Sequence, residues 1–230
     1  MPSTGGRIKF DQVGERRFET GIDHGVLYKY ENGADTNGVA WNGLTSVSES
    51  PSGAENTDLY ADNIKYLTMR SAEQLGLTVE AYTYPPEFEE FDGIKQIAAG
   101  VKLGQQSRGT FGLCYRSKVG TDTNQDAGYK LHLVYGCSAS PSDRGYQTVN
   151  DSPEAISFSW SIATNPIVVE GYKPVALITI DSTLVDQDKL TELEDILYGT
   201  DGDDTATPPV DPTVATLPLP EDIIDMFTTT

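Results

Sequence analysis

The sequence predicts a mainly β protein, an antiparallel β-sandwich or barrel with one or two short helices at its edge. Three observations lead there. Eight short runs rich in Val, Ile, Thr and aromatics recur along the 230 residues, the composition that suits a pleated, half-buried surface. One of them alternates cleanly: Ile156, Phe158, Trp160 and Ile162 share one face, while Ser157, Ser159 and Ser161 share the other, the period of a strand with one buried side. Only two stretches carry helical signals, too few for an α/β layer structure.

Residues 1–23 read as an N-terminal arm, rich in Gly and charge, with Ile8, Phe10 and Phe18 as scattered apolar points. The expected strands are His24–Tyr30, Val39–Val47, Ile64–Arg70, Leu77–Tyr84, Phe111–Lys118, Tyr129–Tyr135, Ile156–Ala163 and Val175–Asp181. Between the second and third lies Ser48–Asn63, read as a long polar loop. A hairpin turn needs about two to five residues, and loops beyond about 12–15 are uncommon and usually functional or disordered. Pro51 and Gly53 punctuate this one, and Leu59 and Tyr60 give it apolar anchors.

Pro85–Asp92 opens on proline and carries acids in its first turn, as a short helix does. In Asp186–Tyr198, Leu190, Leu193, Ile196 and Leu197 recur at helical spacing, Asp186 is placed to cap the start and Gly199 to end it. The main domain is therefore expected over residues 24–199. Residues 200–230 hold seven acids and no base, interrupted by five prolines. They read as a flexible acidic tail whose short apolar patch, Ile223, Ile224, Met226 and Phe227, acts as a detachable anchor.

The formal net charge of −19 excludes a surface built to grip phosphates. Met1–Gly6 lacks the basic start and apolar stretch of an export signal, and the most apolar run, Val175–Ile180, is too short for a bilayer. Cys114 and Cys137 form no disulfide framework, so free thiols in a reducing cytoplasm are expected, with an incidental bridge open if the two lie on neighbouring strands.

Catalytic chemistry finds little purchase. His24 and His132 are the only imidazoles, and His132, mid-strand between Leu131 and Leu133, is expected at a surface or interface. No Gly-x-Ser-x-Gly elbow or Gly-x-x-x-x-Gly-Lys phosphate loop occurs. Asp122–Asp126 imitates the start of a calcium loop, but Ala127 and Leu133 stand where Gly and Glu are needed, leaving a polar turn. The expectation is no enzyme, no metal and no cofactor. Trp41 and Trp160 lie on apolar alternating faces and are expected in the core; exposed, they would instead suit a β-sandwich carbohydrate- or receptor-binding module, which stays open as the alternative.

Several segments taken together are familiar: Glu15–Gly21 (ERRFETG), Gly38–Thr45 (GVAWNGLT), Glu49–Glu55 (ESPSGAE), Tyr60–Tyr66 (YADNIKY), Phe111–Arg116 (FGLCYR), Tyr129–Gly136 (YKLHLVYG), Asn150–Ile156 (NDSPEAI) and Tyr172–Pro174 (YKP). Through them, over most of residues 7–199, the chain resembles the major tail proteins that build the tail tube of long, non-contractile-tailed (siphophage-like) bacteriophages. The resemblance implies a β-sandwich or barrel subunit that forms homohexameric rings, stacked into the conduit that delivers DNA into the host. It implies a virion protein assembled in the host bacterial cytoplasm. Its partners are copies of itself, other tail proteins at the tube ends (tape measure, terminator and distal tail proteins), and DNA that passes through the lumen without specific binding; no membrane is involved. It places an inter-ring contact in the loop at Glu49, Pro51, Gly53, Glu55, Leu59, Tyr60 and Asp62. Acidic and small hydroxyl side chains, Glu80, Ser157, Ser159 and Ser161, are the candidates to face the lumen.

Overall fold

A computed structural model describes residues 7–31, 34–146, 148, 155–202 and 211–228. It is mainly β and antiparallel. The strands are β1 (Arg17–Glu31), β2 (Ala34–Trp41), β3 (Leu44–Gly53), β4 (Asn56–Ala61), β5 (Ile64–Arg70), β6 (Glu73–Ala81), β7 (Lys95–Ala98), β8 (Val101–Leu103), β9 (Phe111–Thr121), β10 (Gly128–Ala139), β11 (Phe158–Thr164) and β12 (Leu177–Asp181), with helices α1 (Gln187–Tyr198) and α2 (Pro220–Thr228). The expected helix at Pro85–Asp92 is a single 3-10 turn, Pro86–Glu90.

The main sheet runs β2-β1-β9-β10-β11-β6-β3. Its first and last strands are consecutive in sequence, joined by Asn42 and Gly43 alone, so the sheet is rolled on itself. Two contacts hold the corner: Tyr82 N–H donates to the Gly43 carbonyl at 2.9 Å and the Trp41 indole to the Thr83 carbonyl at 3.0 Å. Gly25 permits the close approach of β1 to this corner, because a Cβ there would sit 2.3 Å from the Leu44 side chain and 3.0 Å from the Trp41 carbonyl. Strand β10 serves two neighbours on one edge, β12 along Lys130–Val134 and β11 along Cys137–Ala139.

Alternation along β9 and β10 divides the apolar residues between two cores. Leu113, Tyr115 and Val134 turn into the roll, beside Leu27, Leu77 and Val79. The roll is filled by aromatics: Trp41 lies 4.5 Å from Phe88 and 5.5 Å from Trp160 between ring centroids, so both tryptophans are core residues. Cys114, Leu131, Leu133 and Tyr135 turn the other way, under the helices. Neither thiol is in a disulfide and both are buried; Cys137 belongs to the inner core and Cys114 to the outer one. Opposite faces of the sheet keep them from the bridge the sequence left open.

Helix α1 starts where expected, with Asp186 accepting from the amides of Asp188 and Lys189 at 2.9 and 3.2 Å. Leu190, Leu193 and Leu197 are buried against the sheet, each contributing about 2 kcal/mol of apolar transfer.

The C-terminal segment departs most from expectation. Thr213 bridges back to Thr200, Thr216 N–H donates to the Ile196 carbonyl at 2.9 Å, Gly38 N–H to the Ala215 carbonyl at 2.9 Å, and the Tyr135 hydroxyl to the Pro218 carbonyl at 3.0 Å. Leu217 and Ile223 are buried in the outer core, with Met226 and Phe227 packed at its margin and Ile224 half-buried. What read as a detachable anchor is α2, seated on the chain's own sheet. Residues 203–210 of the tail lie outside the described residues, as do 1–6 of the arm and 150–154 of the familiar Asn150–Ile156 segment.

Candidate functional site

The stretch read as a loop is a projecting β arm. Strand β3 continues through Gly53, paired with β6 to Glu73, and the chain then runs into the β4–β5 hairpin. Gly53 allows the change of direction: its φ is +83°, and a Cβ there would fall 2.3 Å from the Ala72 carbonyl oxygen. Glu55 and Ser71 stitch the junction, Ser71 N–H to the Glu55 carbonyl at 3.2 Å and Glu55 N–H to the Ser71 hydroxyl at 3.1 Å. At the tip, Asp62 and Asn63 adopt φ of 51° and 64°, the positive pair of a type I′ turn.

The arm is amphipathic and its two faces differ in what they lack. One face is satisfied internally: Asp58 pairs with Lys65 at 2.8 Å and accepts from Thr68 at 2.7 Å, and Arg70 donates to Asn56 at 3.0 Å. The ladder places Leu59 opposite Leu67, Ala61 opposite Ile64 and Thr57 opposite Met69 on the other face. Leu59, Ile64, Leu67 and Met69 are all exposed there, Ile64 at 63%. Apolar side chains aligned on one side of a strand pair stabilise it only when something covers them.

The structure separates the residues expected to form one contact. Leu59, Tyr60 and Asp62 are on the arm; Glu55 is at its joint; Pro51 and Gly53 belong to β3. Pro51 stands on an edge strand, where a sheet tolerates proline. Glu49, expected in the same contact, lies on β3 at the root of the arm: it accepts from the Tyr115 hydroxyl at 2.7 Å and lies 3.6 Å from His132 Nδ1.

His132, expected at a surface or interface, is partly buried. It is stacked on Tyr115, with centroids 4.6 Å apart and planes 7° from parallel, and its side chain is 12% exposed. Its Nε2 is 2.9 Å from the Ser117 hydroxyl. Burial lowers its pKa below the usual 6.5, opposed by the charges of Glu49 and Glu19. Burial, then the Glu49 carboxylate, pushes the Tyr115 hydroxyl far up, so it stays a donor. Nothing in the sequence spacing joins Glu49 to Tyr115 and His132; only the roll of the sheet does.

Three of the four lumen candidates come together. Ser159 pairs with Glu80 and Ser161 with Thr78 across β11 and β6, while Ser46 and Ser48 pair with the same residues from β3. The outcome is a face of small hydroxyls around one carboxylate, Ser46 donating to Glu80 at 2.9 Å. Ser157 is exposed just before β11 begins.

A second buried-edge cluster is structural. Arg116 grips Asp23 with both nitrogens, at 2.7 and 3.2 Å, and lies 4.5 Å over the Tyr129 ring, whose hydroxyl donates to Glu194 of α1 at 2.7 Å. The Arg116 hydrogen bond holds the Asp23 carboxyl below its usual pKa. This chain of contacts ties the bulge of β1 to the helix layer. Among the described residues no group of His, Cys, Asp and Glu converges as a metal site, and no helix is long and apolar enough to cross a membrane.

No family model matches the chain, and no curated protein does. Among solved structures, it is similar to a chain in the six-fold symmetrised cryo-EM structure of the anti-feeding prophage baseplate, at 10% identity and a TM-score of 0.36, over 77% of this chain and 100% of that one.

Proposed function

We propose that this is a structural, self-assembling protein: the subunit of a phage-type tail tube, forming hexameric rings that stack into a conduit for DNA. The observation that carries the reading is the β4–β5 arm. A monomeric protein gains nothing by holding Leu59, Ile64, Leu67 and Met69 in register on an exposed hairpin whose polar side is already satisfied. A neighbouring copy that covers this face removes that apolar area from water, at about 25 cal/mol per Å².

Two further features fit the same reading. Strand β3 ends the main sheet with a hydrogen-bonded neighbour on one side, and lateral pairing between copies would satisfy its open backbone groups. The hydroxyl face around Glu80 has the chemistry of a channel wall along which DNA slides, since it offers no cation to a phosphate. The alternative, a module that binds sugars or receptors, would have to do without a tryptophan stacking platform, because both tryptophans are buried. In this role the protein needs no catalytic group and no cofactor; its partners are its own copies, other tail proteins at the tube ends and the passing DNA.

Negative-stain microscopy of the purified chain at high concentration tests the proposal. Long hollow tubes or stacked rings are expected. A protein that stays monomeric at every concentration and salt would overturn it.

A further inference from the structure

The N-terminal segment carries a charge opposite to the rest of the molecule. Between Arg7 and Arg17 stand four bases, Arg7, Lys9, Arg16 and Arg17, against two acids, Asp11 and Glu15, in a chain of net charge −19. Its apolar side chains are uncovered: Ile8, Phe10 and Val13 are 74%, 79% and 78% exposed. Its root is fastened, by Gly14 N–H to the Asp122 carboxylate at 2.8 Å and Asp122 N–H to the Arg16 carbonyl at 3.1 Å.

The helix layer is the complement. From Asp186 to the end the sequence has twelve acids and one base, Lys189. Glu192 and Asp195 on α1, and Asp225 on α2, are exposed. The same C-terminal segment also presents apolar side chains: Val214 and Leu219 are exposed, and Met226 and Phe227 are half-buried at the core margin.

We propose that residues 7–17 of one copy dock on the α1–α2 surface of a second copy. The inference rests on the self-assembly reading and names a contact that the β4–β5 arm does not supply. Ile8 and Phe10 take the apolar ground beside α2, and Arg7 and Lys9 face the carboxylates. Opposite charge steers the encounter and sets which surface is chosen, while the apolar side chains hold it. In a body so acidic, copies repel each other; a basic segment that reaches a neighbour offsets that repulsion where it lands.

The test uses full-length protein and a charge swap. Two variants are made, Arg7→Glu/Lys9→Glu and Glu192→Lys/Asp195→Lys/Asp225→Lys, each checked for an unchanged far-ultraviolet spectrum and melting temperature. Association is followed by sedimentation velocity at low and high salt. Each variant alone should associate at least about tenfold more weakly than wild type at low salt, and the loss should shrink at high salt. Mixed in equal amounts, the two should recover association, because each then meets a partner of opposite charge.

Recovery only in the mixture is the result expected. Wild-type association in both variants alone would overturn the docking while leaving self-assembly standing. Loss without recovery on mixing, in folded variants, would also overturn it, since contact within one chain or general charge effects would then be the cause. A wild type that never associates would remove the self-assembly reading itself.

Discussion

The Tyr115 hydroxyl donates to Glu49 Oε1 at 2.7 Å, joining the middle of β9 to the strand that leads into the projecting arm. Strand β3 has a hydrogen-bonded neighbour on one side only, β6. The Tyr115–Glu49 contact therefore fastens an edge strand across the roll, where no backbone ladder does.

Removing either partner should loosen that root unequally. Tyr115→Phe deletes a hydrogen bond to a charged acceptor and should cost about 1.5–3 kcal/mol. Glu49→Ala also strips the buried Tyr115 hydroxyl of its acceptor and should cost at least as much. Urea unfolding of both single variants and the double variant measures this; a double-mutant coupling near zero would mean the bond contributes nothing.

Stability should fall as the pH drops below 6.5, and His132 should be responsible. Burial holds its folded pKa under the unfolded value of 6.5, so the unfolded chain takes up the proton first. The contribution of neutral His132 is complete above pH 6.5 and is lost as pH falls through the lower folded value. Urea midpoints measured from neutral pH to mild acid should slope for wild type and flatten for His132→Gln. Equal slopes would assign the effect to other groups.

Leu59→Ser with Leu67→Ser should separate folding from assembly. Both side chains stand on the exposed face of the arm, so melting of the monomer should shift by no more than about 0.5 kcal/mol equivalent. Tube or ring formation seen by microscopy should be lost. Normal assembly by this variant would remove the arm from the contact.

Truncation after Gly199 should be severe. It removes Leu217, Ile223 and α2 from the outer core, at about 2–3 kcal/mol for each buried apolar side chain. A fall in melting temperature on the order of 10 °C is expected for a chain of this size. A truncated chain that melts with the full-length protein would contradict the packing described for this segment.

The elements that could be read from sequence are those where local signal and tertiary role agree. The Ile156–Ile162 alternation announced β11, although Ile156 itself lies outside the core at 40% exposure, and the leucine spacing with Asp186 announced α1. Of the arm, β5 was legible as Ile64–Arg70, but β4 was hidden because its residues are exposed on both sides in one chain. Beyond Val47 the residues of β3 are exposed and polar as well, and Pro51 and Gly53 read as loop punctuation although an edge strand and a left-handed joint accept them. The C-terminal segment misled for a related reason. Its prolines and acids match a spacer, yet Leu217 and Ile223 each need only one apolar neighbour surface, and the outer face of β10 provides it. The Glu49–Tyr115–His132 cluster, and the grouping of Glu80 with Ser159, depend on strand pairing between distant segments, which no local pattern specifies.

The placement of the thiols has a chemical consequence. Burial pushes Cys114 up to about 12, so almost none of it is thiolate at neutral pH, and thiolate is the form that oxidants and disulfides attack. Cys137 is sealed within the roll on the other side of the sheet. Disulfide exchange at either thiol of the folded chain should therefore be slow, and cross-linking between copies through them should require unfolding first.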